Sequence, residues 1–264
     1  MRNNKTYIIS LGGSLIAPPA GIDPVRNIAH PASLKKFSLT RPARVSNGVD
    51  WKFLKKFREV IINEIKNGRR FVIVAGGGWT CRLYQNAASK VVKLTDDDKD
   101  WLGVHSTRLN AHLIKTIFRD CAHPRVNKNP MTKADLETHF AKGEKIMVAA
   151  GWRPGWSTDY VAVILAERLG AKTIINLSNI DYVYDKDPKK YKNGKKIKNI
   201  NWKNFRKLVG NKWDPGLNAP FDPVASRKAE EAKLEVMIMN GKKLNNLKNY
   251  LEGKDWKGTI INTD

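Results

Sequence analysis

The sequence predicts an α/β fold, a three-layer αβα sandwich around a mainly parallel central sheet. Three observations lead there. Short β-rich runs alternate with amphipathic segments along most of the chain, a pattern that places helices on both faces of a parallel sheet. In the segment Thr158–Leu169, residues Val161, Ile164, Leu165 and Leu169 fall on one face, and Gly170 stands where a C-terminal cap belongs. Glycine-rich loops follow the strand-like runs, where ligands of such sheets bind, beyond the carboxyl ends of the strands.

Taken in order, Tyr7–Leu11 reads as the first strand and ends in Gly12-Gly13-Ser14. Residues 17–50 break the pattern, with five prolines, six basic residues counting His30, and hardly any periodicity. They are expected to form a flexible insertion in an otherwise single domain spanning 1–264. Trp51–Asn67 reads as a helix, Arg70–Ala75 as the second strand, and Thr80–Val91 as the helix behind Gly76-Gly77-Gly78. Two helices follow, Asp98–Arg119 and Lys133–Ala141, then a strand at Lys145–Ala150. The remaining strands are Lys172–Asn176, Glu235–Met239 and Thr259–Ile261; the remaining helices are Pro223–Lys233 and Leu244–Leu251. Pro188–Lys198 is lysine-rich and reads as an exposed turn or hairpin.

Composition bounds the function. The 264 residues are 41% hydrophobic and 28% charged, as in an ordinary globular protein. No apolar run reaches the ~18 residues that span a bilayer. The opening residues lead directly into the first strand, so no signal peptide and a cytoplasmic protein are expected. Cys81 and Cys121, each placed in a helix, have no metal-like spacing and read as inert thiols; the five histidines form no H-x-x-x-H pair. The formal charge of +23 suits anionic partners. The lysines are spread widely and no recognition motif accompanies them, so a solvated basic surface is favoured over a nucleic-acid footprint.

The chemistry lies in the loops. Gly12 and Gly13 let the backbone approach a phosphate. Gly76-Gly77-Gly78 open a helix with Arg82 one turn in, a stronger anion cradle whose guanidinium adds charge to the amides. The stretch G-W-R-P-G-W-S-T-D (151–159) is a second glycine- and hydroxyl-rich loop opening a helix, and N-I-D-Y-V-Y-D-K-D-P (179–188) is an acidic, tyrosine-bearing loop one strand later. The chain has neither G-x-x-x-x-G-K-[ST] nor G-x-G-x-x-G with a ribose-binding acid, which excludes a P-loop protein and weighs against a nicotinamide dehydrogenase. Asp159 also reads as a helix cap, and Asp222 as the cap before Pro223.

Five ordered motifs, G-G-S, G-G-G-x-x-x-R, D-x-x-G-x-x-x-T-R-x-N, G-x-x-P-G-x-S-T-D and N-x-D-x-V-Y-x-x-D-P, together resemble the amino-acid-kinase superfamily. Within it the likeness is to uridylate kinases of the archaeal type, and it covers nearly the whole chain outside 17–50. The resemblance implies an amino-acid-kinase-like sandwich that transfers the γ-phosphoryl group of Mg-ATP to UMP, with Mg2+ held by the nucleotide phosphates and no protein metal site. ATP would lie against Ser10, Gly12, Gly13, Gly78, Arg82, Ser178, Tyr184 and Asp187. UMP would meet Gly77, Asp100, Gly151, Trp156, Ser157 and Thr158, with Asp100, opening its helix, on the ribose hydroxyls. Arg82, Asp159 and Asp222 would organise the reacting centre. A homo-oligomer, hexameric by the same likeness, is implied.

Two residues depart from the pattern: Ser10 stands where many relatives carry a lysine, and Tyr182 where a glycine is usual. A positive φ at that glycine would strain Tyr182. Two alternatives therefore stay open. One is a kinase with another acceptor; the other is a catalytically weak nucleotide- or oxyanion-binding relative of the storage type. Trp152, Arg153 and Trp156 add bulk to the acceptor loop, either to stack on a base or to pack.

Overall fold

A computed structural model describes residues 5–19, 48–132, 140, 142–186, 191, 193–210 and 219–263. The chain runs β1 (Thr6–Leu11), α1 (Gly13–Ile16), α2 (Trp51–Lys66), β2 (Arg70–Ala75), α3 (Gly78–Ser89), α4 (Asp96–Ile117) and β3 (Ile146–Ala149). It continues with α5 (Thr158–Arg168), β4 (Thr173–Ser178), β5 (Val183–Tyr184), β6 (Lys196–Ile197), β7 (Asn199–Asn201) and α6 (Trp202–Val209). It closes with α7 (Pro223–Glu231), β8 (Glu235–Asn240), α8 (Leu244–Leu251) and β9 (Thr259–Asn262).

Seven of the described strands form one sheet in the order β3-β2-β1-β4-β8-β9-β7. The pairs from β3 to β8 are parallel; β9 is antiparallel to β8, and β7 pairs parallel with β9. β1 is central, so both of its faces are covered, and alternate residues serve two separate cores. Tyr7, Ile9 and Leu11 join Phe53, Phe57, Phe118, Leu247 and Leu251 under α2, α4 and α8. Ile8 joins Val161, Leu165, Trp202, Phe205, Phe221 and Ala225 under α5, α6 and α7. This is the three-layer αβα sandwich expected of strands that are apolar on both faces.

Helix starts follow from local chemistry. Asp50 accepts from the Phe53 amide at 2.9 Å and starts α2. Thr95 and Asp98 form a reciprocal capping box that starts α4. Ser157 caps α5 through the Tyr160 amide at 3.0 Å. Asp222 accepts from the Ala225 amide at 2.6 Å with Pro223 in the first turn of α7.

Several expectations need correction. α3 begins at Gly78 rather than Thr80, because Gly78 itself adopts φ +65° and turns the chain into the helix. α4 begins at Asp96, since Thr95 rather than Asp98 supplies the cap, so Asp100 lies in its second turn and does not open it. Cys121 sits in the turn after α4, not in a helix, its thiol 3.5 Å from the Phe118 carbonyl. Tyr182 is unstrained: among the described residues Lys233 is the sole non-glycine with positive φ. β7 and α6 were not expected; α6 is an eight-residue helix anchored by two buried aromatics, Trp202 and Phe205. Residues 133–139 and 141 of the expected Lys133–Ala141 helix and residues 20–47 of the expected insertion lie outside the described residues. Of the expected 188–198 turn, β6 forms an antiparallel hairpin with β5, pairing Val183 with Ile197 and Tyr184 with Lys196.

Phe57 is fully buried, stacked at 5.8 Å on Phe53 and edge-on to Phe118 at 6.2 Å. Phe57→Ala is expected to lower unfolding free energy by about 3–5 kcal/mol. Urea denaturation checks it, and a loss below about 1 kcal/mol would show that this layer is loosely packed.

Candidate active site

Beyond the carboxyl ends of β1, β2 and β3 the chain leaves a cavity of about 310 Å³. Gly13 and Ser14, then Gly77, Gly78, Cys81 and Arg82, line it from the first two glycine loops. Asp100, Gly103 and Thr107 line it from α4, and Gly151, Arg153, Trp156, Ser157 and Thr158 from the third loop and the start of α5. Every residue expected on the acceptor side, Gly77, Asp100, Gly151, Trp156, Ser157 and Thr158, is therefore brought to one cavity.

The two glycine loops meet there because neither carries a side chain. A Cβ on Gly13 would run into the backbone of Gly78, and one on Gly78 into the backbone of Gly13. A Cβ on Gly12 would lie 2.7 Å from the Leu177 carbonyl oxygen and 3.6 Å from the Ser178 Cα. Ser178, Gly12, Gly13 and Gly78 thus form a continuous backbone seam from the end of β4 to the cavity. Not all its amides face outward. Gly12 donates to the Leu177 carbonyl at 2.8 Å, Gly76 to Leu11 at 2.9 Å and Trp79 to Ala17 at 2.8 Å. The anion cradle is narrower than three consecutive glycines suggest.

One face of α4 holds the loops in place. Asn110 Nδ2 donates to the Gly76 and Gly77 carbonyls at 2.7 and 3.0 Å. Thr107 Oγ1 accepts from the Gly151 amide at 2.8 Å, and a Cβ at Gly151 would sit 2.7 Å from that oxygen. Asp100 Oδ2 accepts from the Gly155 amide at 2.7 Å, and Arg108 donates to the Trp152 carbonyl at 2.9 Å. Sequence reasoning gave Thr107, Arg108 and Asn110 no role, although all three stand in the D-x-x-G-x-x-x-T-R-x-N motif. Spacing was the available signal: 100, 103, 107 and 110 share one helical face.

A second polar cluster lies at the root of α5. Ser10 Oγ donates to Asp159 Oδ1 at 2.8 Å, Asn176 Nδ2 to the same oxygen at 3.2 Å, and the Asp222 amide to Oδ2 at 3.3 Å. The register explains it, for Ser10 and Asn176 are paired across β1 and β4. Asp159 therefore does not cap its helix; Ser157 does. Burial pushes the Asp159 carboxyl up to about 7, against the Ser10 hydrogen bond, which lowers it. Burial also raises Asp222, while the Ala225 and Val224 amides and the Ser157 hydroxyl pull it back. Asp222 is the helix cap that its place before Pro223 suggests. Its second oxygen is buried without a donor in good hydrogen-bond geometry, although the Ser157 hydroxyl faces the carboxyl.

The expected ATP residues are dispersed. Gly13, Gly78 and Arg82 line the cavity; Ser10 is buried beneath it. Ser178 Oγ accepts from the Ile180 amide at 3.4 Å and its carbonyl from Gly241 at 2.8 Å, closing the turn after β4. Tyr184 stands in the β5–β6 hairpin, and Asp187 lies outside the described residues. Tyr182, at the position expected to be glycine, has the Lys196 ammonium 5.4 Å from its ring centroid.

A mainly parallel sheet with glycine seams and an arginine around a cavity at its carboxyl edge defines an anion-binding α/β protein of the phosphate-handling kind. The chain belongs to the amino acid kinase family, whose model matches residues 5–240. It is 34% identical over 208 residues to a uridylate kinase of Sulfurisphaera tokodaii, covering 77% of this chain and 88% of that one. A uridylate kinase of Thermoplasma volcanium is 29% identical over 252 residues, 95% of each chain. The fold is shared with the crystal structure of uridylate kinase from Archaeoglobus fulgidus, at a TM-score of 0.67 and 24% identity over 97% of this chain and 99% of that one. It is shared too with UMP kinase from Bacillus anthracis, at a TM-score of 0.70 and 19% identity over 98% and 96%.

The raised Asp159 makes stability depend on pH. A carboxyl that holds its proton more tightly folded than unfolded favours the native state fully below about pH 4, and that contribution is lost as pH rises to about 7. Relative to Asp159→Asn, the wild type should lose a few kcal/mol across that window and no more above it. Denaturation at stepped pH checks this; a difference independent of pH would show that Asp159 is ionised throughout.

Proposed function

We propose that the chain is a uridylate kinase, transferring the γ-phosphoryl group of ATP to UMP to give UDP and ADP. The glycine seam carries the reading. It joins the turn after β4, where a donor nucleotide belongs in this family, to a cavity whose lining suits a nucleoside monophosphate. The uridylate kinases that match most of the chain support the choice of acceptor.

In this reading the UMP phosphate rests against Gly77 and the start of α5 at Ser157 and Thr158, its ribose towards Asp100, with Gly78 and Arg82 beside the phosphates being bridged to ATP. An oxygen of that phosphate attacks the γ-phosphorus in line, the bond to the β–γ bridging oxygen breaks, and ADP leaves. Arg82 and the amides beside it cancel charge that spreads over the transferring group. Any Mg2+ bound with ATP would neutralise part of its phosphate charge; the chain's own carboxylates at the centre, Asp159 and Asp222, organise Ser10, Asn176 and the start of α7. No described helix is long and apolar enough to cross a membrane, and we place the enzyme in the cytoplasm as one amino-acid-kinase unit with residues 17–50 inserted. A homo-oligomer fits the surface. α3 buries no residue, and Leu83, Tyr84, Trp101 and Leu109 leave an apolar face exposed along α3 and α4.

Two measurements test the proposal. A coupled ADP-release assay should turn over with UMP in preference to CMP, AMP and isopentenyl phosphate. Arg82→Ala should slow it more than tenfold, about 1.4 kcal/mol at the transition state. Silence with all four acceptors, alongside ATP binding, would favour a storage-type relative instead. Light scattering after gel filtration should give a multiple of 29.9 kDa; a monomer at working concentration would remove the oligomer.

A further inference from the structure

The setting of Arg153 is specific. Its guanidinium carbon lies 4.2 Å from the Trp152 ring centroid and 5.9 Å from that of Trp156. Trp152 and Tyr160 pack against the core under α5, and Trp156 and Tyr160 lie 4.1 Å apart. The Trp152 carbonyl is tied to Arg108 and the Gly155 amide to Asp100, so both sides of Arg153 are fixed to α4. Among the described residues no carboxylate forms an ion pair with Arg153. A lysine or arginine merely decorating the surface would not be held over two indoles beside a cavity it lines.

The ladder along α4 tells which end of the cavity this is. Asn110 grips the Gly76–Gly77 loop, Thr107 meets Gly151, and Asp100, two turns nearer the helix start, meets Gly155. The Gly76–Gly77 loop belongs to the Asn110–Thr107 end; α3 then runs back along α4, with Cys81 beside Gly103 and Gln85 on the Lys99 carbonyl, and the Arg153–Trp156 stretch reaches towards the Asp100 end, where in this reading the ribose and base belong. Resting on the uridylate reading above, we infer that Arg153 is a specificity-determining residue that donates from its guanidinium edge to the O4 carbonyl of the acceptor's uracil ring. Indole contact occupies the faces of the guanidinium and leaves its N–H edge to make hydrogen bonds. That edge only donates. Uracil offers a carbonyl at position 4, whereas cytosine places an amino donor there. A donor facing a donor is left unpaired, so CMP is discriminated against at that position.

The test is kcat/KM for UMP and for CMP at saturating ATP, in the wild type, Arg153→Ala, Arg153→Lys and Trp152→Leu. Arg153→Ala should lower the UMP value by about tenfold or more while leaving CMP within about twofold. KM for ATP should stay unchanged. Arg153→Lys, which keeps the charge but not the planar fork, should recover little, and Trp152→Leu should shift the UMP/CMP ratio in the same direction. Equal losses with UMP and CMP would overturn the assignment in favour of a phosphate contact, and no loss with either would reduce Arg153 to packing. A wild type that neither binds UMP by calorimetry nor phosphorylates it would defeat the uridylate reading, and this assignment with it. A wild type that does both, beside an unchanged Arg153→Ala, would defeat the assignment alone.

Discussion

The site depends on one face of α4. Loops that bend beyond a sheet's edge carry backbone groups that lack ladder partners, and buried ones must find them elsewhere. Here Asn110 takes the carbonyls of Gly76 and Gly77, Thr107 the amide of Gly151, and Asp100 the amide of Gly155. Each bond contributes about 0.5–1.5 kcal/mol in ordinary bookkeeping. Their structural effect is larger, because they fix two loops from different strands against the same rigid rod. Asn110 and Thr107 are themselves buried, so losing either partner would leave a polar group unsatisfied as well as a loop unheld.

Glycine does the complementary task at the seam. Gly13 and Gly78 approach so closely that a methyl group on either would part the loops. Close approach of backbone to backbone brings the turn after β4 beside the cavity; in the proposed reading the phosphates of two nucleotides meet across it. Beneath the seam, Ser10 donates to Asp159. A neutral hydroxyl leaves the Asp159 carboxyl without a buried counter-charge, which accounts for burial dominating its raised pKa. Positive charge enters from the cavity wall instead, through Arg82.

The fold was largely legible in the sequence because parallel strands buried on both faces are apolar throughout, as in Phe71–Ala75 and Ile146–Ala149; the cap of α5 was not, since Ser157 rather than Asp159 holds it. The edge strand β7 was not, since Asn-Ile-Asn offers one apolar residue, and α6 is too short to show a period beyond Trp202 and Phe205. Of the site, the cavity lining was legible through glycines and hydroxyls. The supports were less so: Thr107 and Asn110 look like unremarkable polar residues until α4 turns them towards the loops. The dual identity of Asp222 as cap and site neighbour could not be resolved from spacing alone, because Pro223 explains it equally well either way.

The central claim is that the α4-held cavity is the UMP site and that the glycine seam leads from it to the donor nucleotide. A crystal structure with UMP and a non-hydrolysable ATP analogue tests this most directly. The UMP phosphate is expected at Gly77 and Thr158, its ribose towards Asp100, the triphosphate along Gly12 and Gly13, and Gly78 and Arg82 between the two sets of phosphates. UMP bound outside this cavity, or the triphosphate filling it in place of UMP, would contradict the account.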